Sequence, residues 1–149
     1  MLQFNTIGLL QAIASLALGS NTALSGAVAG LFTGSPILNR AMNISSITEA
    51  NFQGYARQNI TWGAVVNLAS GGGALVANRI QFIANSGINA PQTITGGFIF
   101  NPLGGGVLIA AGLFDQAALV GSPGDSVNWN PAQEFGFDTN YGDLPGPNP

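Results

Sequence analysis

The firmest pattern in the chain is a period of two between Gln92 and Asp115, QTITGGFIFNPLGGGVLIAAGLFD. Ile94, Phe98 and Phe100 fall on one face of this stretch and Thr93, Thr95 and Ile99 on the other, as a half-buried strand requires. Asn101-Pro-Leu-Gly-Gly-Gly106 then reverses the chain, because Pro fixes φ and the glycines accept positive φ. The returning run puts Val107, Ile109, Ala111 and Leu113 on one side and Leu108, Ala110, Gly112 and Phe114 on the other. Both of its faces are apolar, so it is expected to be a central strand covered on both sides. This hairpin is the predicted centre of an antiparallel β-sandwich.

Ahead of it, Ile7, Leu10, Ile13, Ala14 and Ala17 recur at helical spacing, with Leu9, Leu16 and Leu18 widening the stripe and Gly19 as the C-cap. The spacing predicts a helix over 7–18. No Lys or Arg precedes the segment, so the cationic start of a signal peptide is missing, and about a dozen residues are too few to span a bilayer. Thr22–Thr33 reads as the first strand, broken by Gly34-Ser-Pro36. Ser46-Ile-Thr-Glu49 fits a capping box that opens a short helical turn at Ile47–Asn51 and gives Glu49 a structural role.

Asn59–Leu68 predicts a strand with Ile60, Trp62 and Ala64 on one face, and the glycines at 71–73 turn the chain. In the next predicted strand Val76, Ile80, Phe82 and Ala84 point inward while Ala77, Arg79 and Gln81 point outward. Gly121-Ser-Pro-Gly-Asp125 is a turn, Val127 and Trp129 alternate with Ser126, Asn128 and Asn130, and Phe135 and Phe137 form a last short strand. Residues 1–137 thus read as one mainly β domain, a jelly-roll-like sandwich carrying the N-terminal helix. Residues 138–149, DTNYGDLPGPNP, read as an extended or disordered tail. Trp62, Phe82, Phe98, Phe100, Val127 and Trp129 are the predicted core.

Composition narrows what such a domain can do. Only 6% of its 149 residues are charged, against roughly a quarter in an ordinary soluble domain. Arg40, Arg57 and Arg79 are the only cations, so binding to nucleic acid by counterion release has almost nothing to act through. A chain this poor in charge is expected to be covered by other subunits. It has no Cys and no His, which removes the thiolate nucleophile and the commonest general base and metal ligand, and no enzymatic activity is expected.

Three candidate constellations remain. Asp138, Asn140 and Asp143 group oxygen ligands as calcium loops do, but without the regular order and closing Glu of an EF-hand. Asp125 and Glu134 are the two carboxylates that glycoside hydrolysis would need, although turn and solvent roles account for both. Tyr55, Arg57 and Trp62 form a compact polar-aromatic group suited to a sugar or a protein partner, with an Arg stacked on a ring as the simpler explanation. The glycines at 71–73, 96–97 and 104–106 precede no helix and are read as turns and bends. Asn43-Ile-Ser45 and Asn59-Ile-Thr61 match the glycosylation pattern, which matters only in a secretory setting.

Leu31–Trp62 carries a recognisable pattern: Leu31-Phe32-Thr33 ends a strand, Thr48-Glu49-Ala50 follows, then Gly54-Tyr55-Ala56-Arg57 and a strand with Trp62. With Ile94-Thr95-Gly96, the Leu108–Phe114 run and Gly124-Asp125-Ser126, it resembles small structural proteins of tailed bacteriophage virions. The smaller, less polar Leu108–Phe114 segment and the tail depart from that pattern. The resemblance implies a virion location and no catalytic residues, cofactor or metal. The leading expectation is a capsid decoration or cement protein, assembled as an oligomer on the head. A trimer is preferred by analogy, and the expected partners are other copies and the major capsid protein or other virion proteins, with no nucleic acid and no membrane. The alternative is a host-recognition module on a tail or head fibre that binds surface glycans; a small hydrolase using Asp125 and Glu134 is a third. Tyr55, Arg57, Trp62 and Tyr141 are the candidate partner contacts.

Overall fold

The computed structural model describes residues 3–4, 26–67, 73–85, 90–102 and 106–135. The predicted helix at 7–18, the tail at 138–149 with Tyr141 and the Asp138–Asp143 oxygen cluster, and the glycines at 71, 72, 104 and 105 lie outside them. The protein is mainly β, with antiparallel pairing in every sheet. The chain divides into two compact units, one comprising Met1–Ile60 and Arg79–Trp129, the other Thr61–Asn78 and Asn130–Pro149.

The first unit is built on β1 (Gln3–Phe4), β2 (Val28–Thr33), β3 (Thr48–Glu49), β4 (Gln58–Asn59), β8 (Gln92–Asn101) and β9 (Val107–Val120). They form a six-stranded sheet in the order β1-β9-β8-β2-β3, with β4 also paired to β2. The hairpin predicted from alternation is therefore β8 and β9, and it does sit inside the sheet. β7 (Ile80–Ile83) and β10 (Ser126–Trp129) make a separate ribbon, with Phe82 opposite Val127 and both buried. On this side of the large sheet the Trp129 ring lies against Gly97, where a Cβ would come within 2.7 Å of it. The other face holds a core of Phe32, Phe98, Phe100, Leu108 and Ala111, closed by Met42 and Ile47 from the irregular connection after β2, with Val28, Leu38 and Ile44 packed against it.

The second unit holds β5 (Trp62–Asn67), β6 (Gly73–Ala77) and β11 (Ala132–Phe135) in the order β11-β6-β5. Two stretches predicted as single strands are thus each divided. Asn59–Leu68 breaks at Ile60–Thr61 into β4 and β5, and Val76–Ala84 breaks at Asn78–Arg79 into β6 and β7. The second break is held within its unit, since the Asn78 amide donates to the Thr61 carbonyl at 2.9 Å and the Thr61 amide to Asn78 Oδ1 at 2.8 Å. Changing sheets there also resets the alternation. Ala77, expected on an outward face, is buried, while Ile80, Phe82 and Ala84 keep their inward positions.

Two irregularities of the β8–β9 ladder change which residues share a face. Ile99 stands opposite Ala110 but Phe100 opposite Leu108, so Ile109 is an extra residue on β9. Leu108 and Ala111 consequently join the same core, where strict alternation placed them on opposite faces. Further along, Ile94 faces Ala118 and Gly96 faces Leu113, which leaves residues 114–117 of β9 opposite Thr95 alone. Thr95 is also the extra residue against β2, and its hydroxyl ties the irregularity down by donating to the Gly34 carbonyl (2.6 Å), with the Phe32 carbonyl (3.3 Å) as the alternative acceptor.

The helical turn lies at Ile44–Ser46, as one turn of 3-10 helix, rather than at Ile47–Asn51. Asn43 is its N-cap: Asn43 Oδ1 accepts from the Ser45 amide at 2.9 Å, and Ser46 Oγ accepts from the Asn43 amide at 3.2 Å. Ser46 therefore closes a capping box instead of opening one. Thr48 and Glu49, the expected interior of the turn, are drawn into extended pairing with Thr33 and Phe32, because a sheet edge offers those residues more backbone partners than one isolated helical turn. The pair Gly96–Gly97, expected to bend the chain, lies within β8 between the Phe32 and Trp129 rings.

Candidate functional site

Two of the residues singled out by sequence, Tyr55 and Arg57, meet Glu49 at the edge of β2. Phe52-Gln53-Gly54-Tyr55 is a tight turn closed by the Tyr55 amide on the Phe52 carbonyl at 2.9 Å, with Gly54 at φ +91°. That positive φ suits glycine. The turn delivers the Tyr55 hydroxyl to β2, where it accepts from the Leu31 amide at 3.0 Å and donates to Glu49 Oε1 at 2.8 Å. Arg57 grips the same carboxylate with both arms, Nε to Oε1 at 2.8 Å and an Nη to Oε2 at 2.7 Å. Its guanidinium lies 4.5 Å from the centroid of Phe100 and 5.4 Å from that of Phe98, an arrangement in which the ring quadrupoles favour the cation. The Tyr55 ring itself stacks on Phe82 and meets Phe52 edge-on.

The electrostatics of the group follow from this geometry. Burial pushes the Glu49 carboxyl up, but the hydrogen bonds from Arg57 and Tyr55 and the Arg57 charge outweigh it and hold the acid below its ordinary value. The Glu49 hydrogen bonds raise the Arg57 pKa, against a smaller opposing effect of burial. Burial, assisted by the hydrogen bond and charge of Glu49, drives the Tyr55 phenol well above its usual range despite the opposing Leu31 amide. At neutral pH the set is thus a carboxylate, a guanidinium and a protonated phenol.

Two outcomes test this reading. Tyr55→Phe leaves the Leu31 amide without its acceptor at a residue that is fully buried, so it is expected to cost about 1–3 kcal/mol of unfolding free energy. Urea titration measures the loss, and a change within experimental error would show that water replaces the hydroxyl. Glu49→Gln should cost about 1 kcal/mol at pH 7, because charge-assisted bonds are stronger than neutral ones but this pair is partly open to solvent. A depressed folded-state pKa gives stability that is complete above the unfolded value of about 4.3 and is lost as pH falls through the folded value. The difference between wild type and Glu49→Gln should therefore be flat from pH 7 to about 5 and shrink below about 4.

Trp62, grouped with Tyr55 and Arg57 by sequence, opens β5 of the second unit. Asp125 closes its own turn, with Oδ2 accepting from the amides of Gly121 (2.9 Å) and Ser122 (2.8 Å), and these bonds hold its carboxyl below the ordinary value. Glu134 lies in β11 of the second unit. Asn43 is occupied as the cap of the 3-10 turn and Asn59 ends β4. Among the described residues no group of three or more His, Cys, Asp and Glu side chains could hold a metal, and no helix is long and apolar enough to cross a membrane.

A second surface was not singled out by sequence. Where residues 114–117 leave the β8 ladder, β9 and β10 border an open groove of about 530 Å³. Leu113, Phe114, Asp115, Gln116, Ser126 and Asn128 are among its lining residues. The available signal was the polar pair Asp115-Gln116 set between the apolar runs Val107–Phe114 and Ala117–Val120. Polar residues in the middle of a strand that continues beyond them mark a segment leaving its ladder.

A protein-family model described as "Podophage GP4 fiber I protein gp80" matches residues 11–133 of the chain. No curated protein and no solved structure matches it.

Proposed function

Because the chain belongs to the podophage GP4 fiber I protein gp80 family, we propose that it is built into a fibre of the phage particle and serves there in contact with the host surface. Membership makes it a structural protein of the virion. The family description supports the fibre over capsid decoration, the placement expected first from the resemblance. The match over residues 11–133 is the observation that carries this reading, since it takes in β2 to β10 and the first half of β11.

The role we propose is non-enzymatic, in keeping with a sequence that lacks both His and Cys. The partners we propose are further copies of the chain and other virion proteins, with a homotrimer as the assembly. The scarcity of charge supports association by apolar burial, which depends little on salt.

Electron microscopy of intact particles labelled with an antibody fragment against the purified chain tests the placement. Label along fibres is the expected result. Label distributed over the head surface, at a copy number tied to the major capsid protein, would return the reading to capsid decoration.

A further inference from the structure

We propose that the groove between the bulged segment of β9 and strand β10 binds a neutral saccharide and holds it intact. The inference deepens the fibre reading and rests on it for the setting in which a surface sugar would be met. The choice of ligand comes from the groove itself.

Among the described residues, the side chains of Asp115, Gln116, Ser126 and Asn128 have no hydrogen-bond partner within the chain, yet all four line one concavity. Their neighbours in the wall are apolar. Leu113 is half-exposed, and the partly buried Phe114 ring is held edge-on to Trp129 with centroids 6.0 Å apart. A carboxylate, two amides and a hydroxyl beside an aromatic ring provide donors and acceptors for a polyol, with a surface for the C–H face of a pyranose. The volume of about 530 Å³ falls within the range of small-ligand sites.

Charge decides the class of sugar. Asp115 is the one acidic side chain in the lining, and no Arg stands with it. A uronic acid, sialic acid or phosphorylated sugar would bring a second negative charge against Asp115 with no cation to offset it. A neutral oligosaccharide incurs no such cost, and Asp115 can accept from its hydroxyls. Cleavage is not part of the proposal, because glycoside hydrolysis uses a pair of carboxylates across the bond and the groove lining has one.

The test uses the purified full chain on an array of neutral and acidic bacterial surface oligosaccharides, followed by titration of the bound species in a Trp62→Phe background with Trp129 fluorescence as the signal. Neutral oligosaccharides should bind. Asp115→Ala and Asn128→Ala should each weaken binding about tenfold, the worth of one lost hydrogen bond to a charged or well-placed group, with unchanged circular dichroism. Failure of every neutral sugar, a preference for acidic ones, or binding indifferent to both substitutions would overturn the proposal. So would a Leu113→Asp variant that changes the assembly state in light scattering but leaves sugar binding intact, since the groove would then be a contact between copies. Fibre placement is read separately, on the particle. Labelled fibres with no sugar binding refute the groove alone, whereas sugar binding by a chain located on the head refutes the fibre alone.

Discussion

Truncating Phe98 to alanine is expected to remove about 3–5 kcal/mol of unfolding free energy, the range for deleting a buried aromatic side chain whose surroundings cannot collapse. Phe98 has no exposed surface and lies in the core with Phe32, Phe100 and Leu108. Its ring also covers Gly30 on the neighbouring strand, where even a Cβ would overlap it. Losing the ring therefore exposes the bare backbone of β2 and takes away one of the two rings beneath the Arg57 guanidinium. Urea titration in a Trp62→Phe background, with Trp129 reporting on the unit that contains Phe98, gives the value. A loss below about 1 kcal/mol would mean that the site repacks.

The second large effect comes from adding atoms. Gly96→Val is expected to cost about 3 kcal/mol, the upper part of the usual range for overpacking. A Cβ at this position would run into both the Phe32 ring and the Gly112 carbonyl oxygen, and Phe32 is fully buried. Neither neighbour is the free end of a flexible chain, so the strain must spread into the β8–β9 ladder. Gly97→Ala is the informative comparison. The three atoms nearest a Cβ there all belong to the Trp129 ring, which is partly exposed and can tilt, so a smaller loss with a shifted emission maximum is expected. Equal losses at the two positions would show that the backbone itself resists both.

The difference between these glycines also shows where sequence reasoning stops. Hydrophobic alternation located β8, β9 and β10 and the buried positions Phe82, Phe98, Phe100 and Val127, because alternation records which face of a strand is apolar. It ran a strand through Gly96 and Gly97 but could not show why glycine stands there, since the pair reads as a bend until the rings that use the missing side chains are known. The Ser46-Ile-Thr-Glu49 pattern misled for a related reason. Asn43-Ile-Ser-Ser46 is an equally good cap, and only the pairing of Glu49 with β2 decides between them. Tyr55 and Arg57 were legible as a pair, but their common partner Glu49 was assigned to a helix and so left out of the group. The groove escaped because its lining comes from two strands separated by a turn, and because a four-residue bulge leaves no periodic trace.

The edge of β2 facing β3 and β4 has a consequence for how copies of the chain can meet. Along it the Ala27 carbonyl accepts from Ile60, Ala29 stands opposite Gln58, Leu31 is bonded through its carbonyl to the Ala50 amide and through its amide to Tyr55, and Thr33 pairs with Thr48. Neither β3 nor β4 is long enough to cover this edge, and a phenol fills the gap between them. A crowded assembly of identical chains is where an open strand edge would recruit a neighbour's backbone and seed misassembly. The side-chain plug closes that route without presenting a full new strand to be recruited in turn. A neighbouring β-rich chain that offers only backbone therefore finds no unpaired run along this edge of β2 to pair with.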